Sequence, residues 1–346
     1  MDTAMIAMSG GVDSSVAAQL AREQGFSCQG GTMLLWDTDP GCAADAAAVC
    51  ENLGIPFHIF DASGQFRREV VEPFIRAYEE GLTPNPCFLC NRRLKFDWFL
   101  DRALDTGCHY VVTGHYAKLV RENGRTLLYA APDRAKDQSY FLAGLSQHQL
   151  SHALFPLGDL TKEQVRSIAE AQGFLNARKK DSQDICFIPD GDYKAFMERY
   201  TGKTYPNGQF LDCNGNVVGC HNGAVGYTLG QRKGLGLAMG SPVYVCGKNM
   251  QANTVTVGPE EKLFSTTVFA EGSNFIPFDD LTAPLSVTAK ARSRHLPQPA
   301  TVYPEGEGKI RVEFHEPQRA VTPGQAIVLY DGDLVIGSAT ITGTLL

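Results

Sequence analysis

What this 346-residue chain lacks narrows its class before any motif is read. No apolar run approaches the roughly 20 residues that a membrane-spanning helix needs. The N-terminus has neither the basic segment nor the long apolar one of an export signal. The expected setting is therefore the cytoplasm, with no membrane partner. Ten cysteines without an export signal argue against a framework of structural disulfides and give weight to reactive or metal-bound thiols. Cys87 and Cys90 form a C-x-x-C with no second such pair, so the usual spacing of a structural zinc site is missing. Basic excess is also absent: at a net charge of −7, any nucleic-acid partner has to be met by local patches. There is no convincing internal repeat and no low-complexity tail. A content of 43% hydrophobic and 20% charged residues is ordinary for a globular protein, and the length allows two or three domains.

What is present begins at Ser9-Gly10-Gly11-Val12-Asp13-Ser14-Ser15, directly after the apolar run Ala4 to Met8. Paired glycines let a strand turn sharply into a helix and bring backbone N–H groups close to a ligand. The helix that follows aims its positive end at the same spot, which makes an anion site suited to pyrophosphate. It is not a Walker A loop, because Gly-Lys-Ser/Thr is absent and no lysine occurs in the first 30 residues. Charge would then be neutralised by backbone dipoles and a metal, with Asp13 placed to hold Mg²⁺. The string resembles the PP-loop of the ATP pyrophosphatases, which split ATP into AMP and pyrophosphate to activate an oxygen.

Around it, strand-like and helix-like segments alternate. Ala4–Met8, Thr32–Trp36, Ile55–Phe60 and Tyr110–Thr113 read as strands. Ser14–Gln24, Cys42–Leu53, Phe66–Glu80 and Arg92–Leu104 read as helices. That order predicts a doubly wound parallel sheet with its ligand at the strand C-termini. Thr161 to Gln164 is a capping-box pattern before a helix that Gly173 stops. From about Tyr205 helical periodicity fades and short β-branched runs separated by turn residues take over, predicting small β domains or barrels. Pro277 through Pro284 is a candidate boundary between two of them.

Several segments carry chemistry, each with a plainer structural alternative. Thr83-Pro84-Asn85-Pro86 is a stiff extended lead into Cys87 and Cys90. With Cys90 next to a helix starting at Arg92, the dipole and Arg92-Arg93 are expected to lower a thiol pKa. Reactive thiols, half a zinc site and inert packing are all compatible with the pair. Cys186 lies in an apolar run after Arg178-Lys179-Lys180, where a buried core cysteine is the plain reading. Gly114 after a strand would let backbone approach a nucleotide, and His115 is either an acid/base or a locally satisfied histidine. Asp133 to Leu142 is a polar loop or a helix-start signal. Gly230-Gln231-Arg232-Lys233-Gly234 is a hairpin tip or a phosphate clamp. Lys290-Ala291-Arg292-Ser293-Arg294 is another basic cluster, which singly would be a solvated face.

In order along the chain, SGGVDSS, TPNPxxxCN, TGHYA, KDQSYFL, LFPLGxLTKxxVRxIA, DSQxICFI, GQRKGLG and QRAVTPGQA occur together. This series resembles the tRNA-specific 2-thiouridylases over essentially the whole length. The resemblance implies an α/β fold: a PP-loop domain over residues 1–203, a small central domain over 204–265 and a C-terminal β-barrel over 266–346. It implies ATP contacts from Ala7, Met8, Ser9, Gly10, Gly11, Val12, Asp13, Ser14, Met33 and Gly114. It makes Cys90 the catalytic nucleophile and Cys186 the carrier of a persulfide, a pair that can also close a disulfide. Asn85, Pro86 and Cys87 fall where the family contacts the target base. Lys136, Asp137, Gln138, Arg292 and Ser293 fall where it contacts tRNA.

The implied activity replaces the C2 oxygen of the wobble uridine, in the anticodon loop, with sulfur. ATP and Mg²⁺ take part, and an upstream sulfur-carrier protein or cysteine desulfurase supplies the sulfur. Two departures stand out: the family usually has Asp where this chain has Cys87, and Tyr where it has Ser293. Three thiols at 87, 90 and 186 raise the alternative of a [4Fe–4S] cluster with one iron open. A PP-loop ligase or amidotransferase acting on a small molecule is the other rival, disfavoured by the lack of a glutaminase segment and by Cys90 and Cys186.

Overall fold

The computed structural model describes residues 2–36, 40–179 and 185–345. Asp181 to Asp184 of the DSQxICFI motif, and Lys180 of the basic run before it, lie outside the described residues. Strands β1 (Thr3–Ala7), β2 (Ser27–Leu34), β3 (Phe57–Asp61) and β4 (Tyr110–Val112) come first. A hairpin of β5 (Ala117–Glu122) and β6 (Arg125–Ala130) and the short β7 (Ala153–Leu154) follow. The sheet order is β3-β2-β1-β4-β7 with every pairing parallel. Strand order therefore reverses between β1 and β4, and a doubly wound sheet opens its ligand crevice at the strand C-termini there. Apolar β1, with Ala4, Met5 and Ile6 fully buried, is covered on one side by the helix Val12–Glu23 through Val16, Ala17 and Ala21. Phe96, Phe99 and Leu100 cover the other.

Two long helices depart from regular α winding. The predicted helix at 66–80 begins earlier, at Ser63, and passes through a π-wound stretch, Arg67–Val71, before Glu72–Glu79. The helix expected from Arg92 instead starts six residues upstream at Pro86. It runs through Pro86–Leu89, the π-wound Cys90–Trp98 and Phe99–Asp105. The reason is local: Asn85 Oδ1 accepts the Phe88 N–H at 3.2 Å as an N-cap, and Pro86 occupies the first turn, where its missing N–H costs nothing.

The central unit is a four-stranded sheet of β8 (Gly208–Leu211), β9 (Val217–His221), β10 (Tyr244–Asn249) and β11 (Thr254–Gly258), ordered β10-β11-β8-β9 around Phe210, Val245, Val255 and Val257. The last six strands are β12 (Phe264–Phe275), β13 (Leu285–Lys290), β14 (Gln298–Pro304), β15 (Lys309–Arg319), β16 (Ala326–Asp331) and β17 (Leu334–Leu345). Pairing of β12 with both β15 and β17 closes them into a barrel, which leaves no free edge among the six. Pro277 to Pro284 is therefore a loop within the barrel and not a boundary, since Val268 and Val287 on either side share one core. The sequence also gave no sign that the β5–β6 hairpin joins the barrel sheet. It does so at Leu334 opposite Tyr129, reinforced by Ala130 N–H to Asp333 O at 2.8 Å.

Candidate active site

The loop after β1 is built for close approach. Gly10 has a φ of +69°, and a Cβ there would sit 2.5 Å from the Cys42 carbonyl oxygen. Gly11 caps the helix Val12–Glu23 in extended conformation, while the Ser14 and Ser15 hydroxyls donate to its carbonyl at 2.9 and 3.1 Å. Asn176 clamps the loop from outside, its Nδ2 donating to Gly10 O at 3.1 Å and Ser15 Oγ at 2.9 Å. The result is a tight turn at the positive end of a 12-residue helix, a geometry that fits an anionic phosphate chain.

Lys162 is the residue that sequence reasoning missed. Its Nζ lies 2.7 and 2.9 Å from the two carboxylate oxygens of Asp13, and the Tyr116 hydroxyl donates to Asp13 Oδ1 at 2.8 Å. The lysine absent from the loop in sequence is thus delivered in space by the TKEQV segment, read from sequence as a capping box and as part of the motif series, with no role given to Lys162. That box also forms, through Thr161 and Gln164. With three hydrogen bonds from two donor groups on its carboxylate, Asp13 is not arranged as a ready metal ligand; a cation there would have to displace an ammonium. The expectation of Asp13 as the Mg²⁺ ligand does not fit this arrangement. Gly114, at the end of β4, is where it must be, because a Cβ would lie 2.6 Å from the Asp13 carbonyl carbon.

Beside Gly114, His115 is buried. Its Nδ1 shares a 2.7 Å hydrogen bond with the Thr113 hydroxyl, and Phe96 and Phe155 pack on its ring. Burial first, then the Lys95 charge, pushes its pKa well down, so it is a neutral, locally satisfied histidine. The same Lys95 charge acts on the thiols. In α winding a residue five positions on lies ~140° around the helix, whereas the wider π turn, about 4.4 residues, brings it within ~50°. The π-wound segment therefore swings Lys95 onto the Cys90 side. Its ammonium favours the thiolates of Cys87, Cys90 and Cys186. Lys95 itself makes no hydrogen bond or ion pair with the described residues.

The three thiols differ sharply. Cys90 is packed in a core with Phe66, Phe74, Leu94 and Phe187, and burial pushes its pKa up to about 12 against Lys95. The expected lowering by the helix start and by Arg92-Arg93 is overturned, because Cys90 lies inside the helix and those arginines do not act on it. Cys87 and Cys186 are solvent-accessible, although surrounding protein still raises both. For Cys186 the Cys87 charge adds to burial, while Lys95 and the N–H groups of Cys186 and Phe187 favour the thiolate. Phe187 anchors this segment, edge-on to Phe66 at 5.5 Å and Phe74 at 5.4 Å. Among the described residues no group of three His, Cys, Asp or Glu side chains is placed to hold a metal ion. Cys87, Cys90 and Cys186 therefore do not fit the cluster entertained from sequence.

The barrel closes the mouth. Gln325 Nε2 donates to Thr83 O at 2.7 Å, Thr83 N–H donates to Pro323 O at 2.9 Å, and Gly324 (φ +91°) leaves room for both Leu82 and Thr83. Asn85 and Pro86 are thereby held in place as a rim beside Cys87. Met33, on β2, is half-buried between the two cores that flank the mouth.

The remaining candidates divide. Asp137 is spent on Ala131 N–H, Ser139 N–H and Ser139 Oγ, and Gln138 Oε1 accepts Tyr116 N–H at 2.9 Å. Both shape the turn, as the helix-start reading has it, and Lys136 beside them is half-buried. Arg292 is largely buried, its Nη2 donating to Leu229 O at 3.2 Å and to the Thr322 hydroxyl, so it ties the central unit to the barrel. Ser293 is half-buried beside it. What faces outward is the 230s turn, seated by Gly230 against Ala320 with Arg232 and Lys233 exposed. Nearby, His295 has its pKa pushed down by burial and then by Arg292, Lys290 and Arg319, the mark of a concentrated basic patch. Arg178 and Lys179 pair with Glu170 and Asp45 and are an ordinary charged face.

Fold and site together define an ATP-pyrophosphatase-like α/β domain whose phosphate loop opens beside a group of thiols under a β-barrel. The chain matches the families described as the tRNA methyl transferase HUP domain over residues 2–190, its PRC-barrel domain over 194–259, and the aminomethyltransferase beta-barrel domain over 265–341. It is 45% identical to the tRNA-specific 2-thiouridylase MnmA of Clostridioides difficile strain 630, over 99% of this chain and 98% of that one. The corresponding protein of Clostridium perfringens strain 13 is 46% identical with the same coverage. Among solved structures, an NMN synthetase from Francisella tularensis aligns at 15% identity over 59% of this chain and 79% of that one, with a TM-score of 0.36, too low to bear on the argument. The chain belongs to the MnmA family of tRNA-specific 2-thiouridylases.

Proposed function

We propose that the protein is a tRNA-uridine 2-sulfurtransferase that forms 2-thiouridine at the wobble position of tRNA. The observation that carries this reading is a close approach of the phosphate loop to Gly114, extended by the field of one lysine. Gly114 abuts Asp13 of the phosphate loop, and the Lys95 charge acts both on its neighbour His115 and on Cys87, Cys90 and Cys186. Phosphate chemistry and sulfur chemistry thus share one mouth, and the names of the family's curated members agree.

A carbonyl oxygen is a poor leaving group, so the C2 oxygen of uridine first attacks the α-phosphorus of ATP and pyrophosphate departs. Magnesium enters as part of the MgATP substrate. The loop amides of Gly10 to Ser14, the helix N-terminus and Lys162 stabilise charge on the leaving pyrophosphate, and Asp13 positions that ammonium. The terminal sulfur of a Cys186 persulfide then attacks C2 and AMP leaves with the former C2 oxygen. A thiol of the Pro86 helix releases the product from Cys186 as a disulfide, and Cys90 is the family's choice for it. A wobble base is accessible because the anticodon loop is single-stranded, and Asn85 and Pro86 form the rim it would meet. The exposed Arg232 and Lys233, with the exposed Arg294, supply the local positive surface that a net charge of −7 requires for tRNA. A sulfur carrier or cysteine desulfurase reloads Cys186, and this substrate puts the protein in the cytoplasm. Mass spectrometry of tRNA nucleosides from a strain lacking the gene, with and without the gene restored, tests the reading. Unchanged 2-thiouridine on deletion contradicts it.

A further inference from the structure

We infer that in this chain Cys87, and not Cys90, is the thiol that resolves the sulfur-transfer intermediate by closing a disulfide with Cys186. The inference rests on the thiolation reading above. Cys87 and Cys90 stand three residues apart on one helix, so they share a face but not a depth. Cys90 points into the core among Phe66, Phe74, Leu94 and Phe187, whereas Cys87 and Cys186 are both solvent-accessible at the mouth. Cys87 is the first charge acting on Cys186, Lys95 acts on both, and Cys186 in turn acts on the buried Cys90. Cys87 is also the second residue of the segment capped by Asn85, one turn nearer its open end than Cys90. A substrate base enters from solvent, so the linkage it forms with Cys186 is presented to Cys87. Cys90 meets the same region from within the apolar core, where burial holds its thiol protonated.

The step balances without an outside oxidant. After AMP has left, the uridine C2 sulfur is joined to Cys186 Sγ. The Cys87 thiolate, its proton released to solvent and its charge favoured by Lys95, attacks Cys186 Sγ. A Cys87–Cys186 bond forms, the bond from Cys186 to the C2 sulfur breaks, and the electron pair stays on that sulfur as the thiocarbonyl. The two cysteines are oxidised to a disulfide and the sulfane sulfur is reduced; a dithiol reductant reopens the pair for the next cycle.

The test is disulfide mapping of wild-type protein. Persulfide-loaded enzyme is given MgATP and an unmodified tRNA transcript without reductant, quenched with N-ethylmaleimide, and digested under non-reducing conditions. The expected result is a Cys87–Cys186 peptide at least tenfold more abundant than Cys90–Cys186, in step with 2-thiouridine, and loss of that single turnover of 2-thiouridine in Cys87→Ser. A dominant Cys90–Cys186 peptide, or 2-thiouridine formed with Cys87 still alkylated, overturns the inference. A second arm treats the protein alone with diamide, and Cys87–Cys186 is again expected first. If the first arm yields no 2-thiouridine while the diamide arm links Cys87 to Cys186, the thiolation reading fails and the pairing stands; preferential Cys90–Cys186 linkage by diamide counts against the pairing itself.

Discussion

Replacing Lys162 with methionine isolates the contact that joins the phosphate loop to the rest of the domain. The side chain keeps its length but loses its charge, leaving the Asp13 carboxylate with only the Tyr116 hydroxyl. Breaking a fully buried pair costs 3–5 kcal/mol. Here Lys162 is 10% exposed but Asp13 is 32% exposed, which lets water compensate part of the loss, so about 2 kcal/mol is expected. For a chain of this size that lowers Tm by about 4 °C. The effect on chemistry is larger, because the ammonium is also the cation placed to meet pyrophosphate: tRNA-dependent pyrophosphate release should fall ~100-fold, the scale of losing one preorganised electrostatic partner. Asp13→Asn should be destabilised by a similar amount through the unpaired lysine. In Asp13→Asn/Lys162→Met the two stability losses should largely cancel while activity stays lost, a non-additivity expected only of direct partners. Pyrophosphate release within threefold of wild type in Lys162→Met would refute the role given to this residue.

Four further outcomes are expected. Gly114→Ala should abolish ATP-dependent thermal stabilisation, because its Cβ would collide with Asp13 backbone at 2.6 Å; an unaltered ATP shift in a melting assay counts against the loop geometry. The Cys90 thiol, with its pKa raised from 9.0 to about 12, contributes stability that is complete below pH 9 and lost as pH climbs toward 12, so Cys90→Ala should flatten the alkaline decline in denaturant midpoint. The Lys248 ammonium has no hydrogen-bond partner and burial lowers its pKa to about 8, so Lys248→Met should raise Tm at pH 7, where the charged form carries the cost. Arg232→Glu and Lys233→Glu should each weaken tRNA binding and reduce the salt slope by about 1, whereas Arg292→Glu should first lower Tm, since its guanidinium bridges Leu229 and Thr322.

The parallel sheet and its loop were legible because strand and helix periods alternate cleanly and paired glycines mark the close approach. Contacts between segments distant in sequence were not. Lys162 reaches Asp13 across 149 residues, and nothing near Thr161 distinguishes a capping box from one that also delivers a cation. The start of the Cys90 helix was misread because Pro84 and Pro86 suggested an extended path, while Pro86 in fact occupies the first helical turn, where proline is accepted. That shift of six residues moves Cys90 from a helix entrance into the core and reverses its expected pKa. π winding leaves no trace in a hydrophobic pattern read at 3.6 residues per turn, so Arg92 and Arg93 were expected to act on the thiols, whereas Lys95 is the cation that does. Barrel closure and the docking of Gln325 on Thr83 depend on pairings between strands that no single segment encodes.

The most direct measurement follows one oxygen atom. A tRNA transcript carrying ¹⁸O at C2 of the wobble uridine is incubated with the enzyme, MgATP and a persulfide sulfur source, and the AMP is analysed by mass spectrometry. Adenylation of C2 predicts one ¹⁸O in AMP for each 2-thiouridine formed. Thiolated tRNA accompanied by unlabelled AMP would contradict the account.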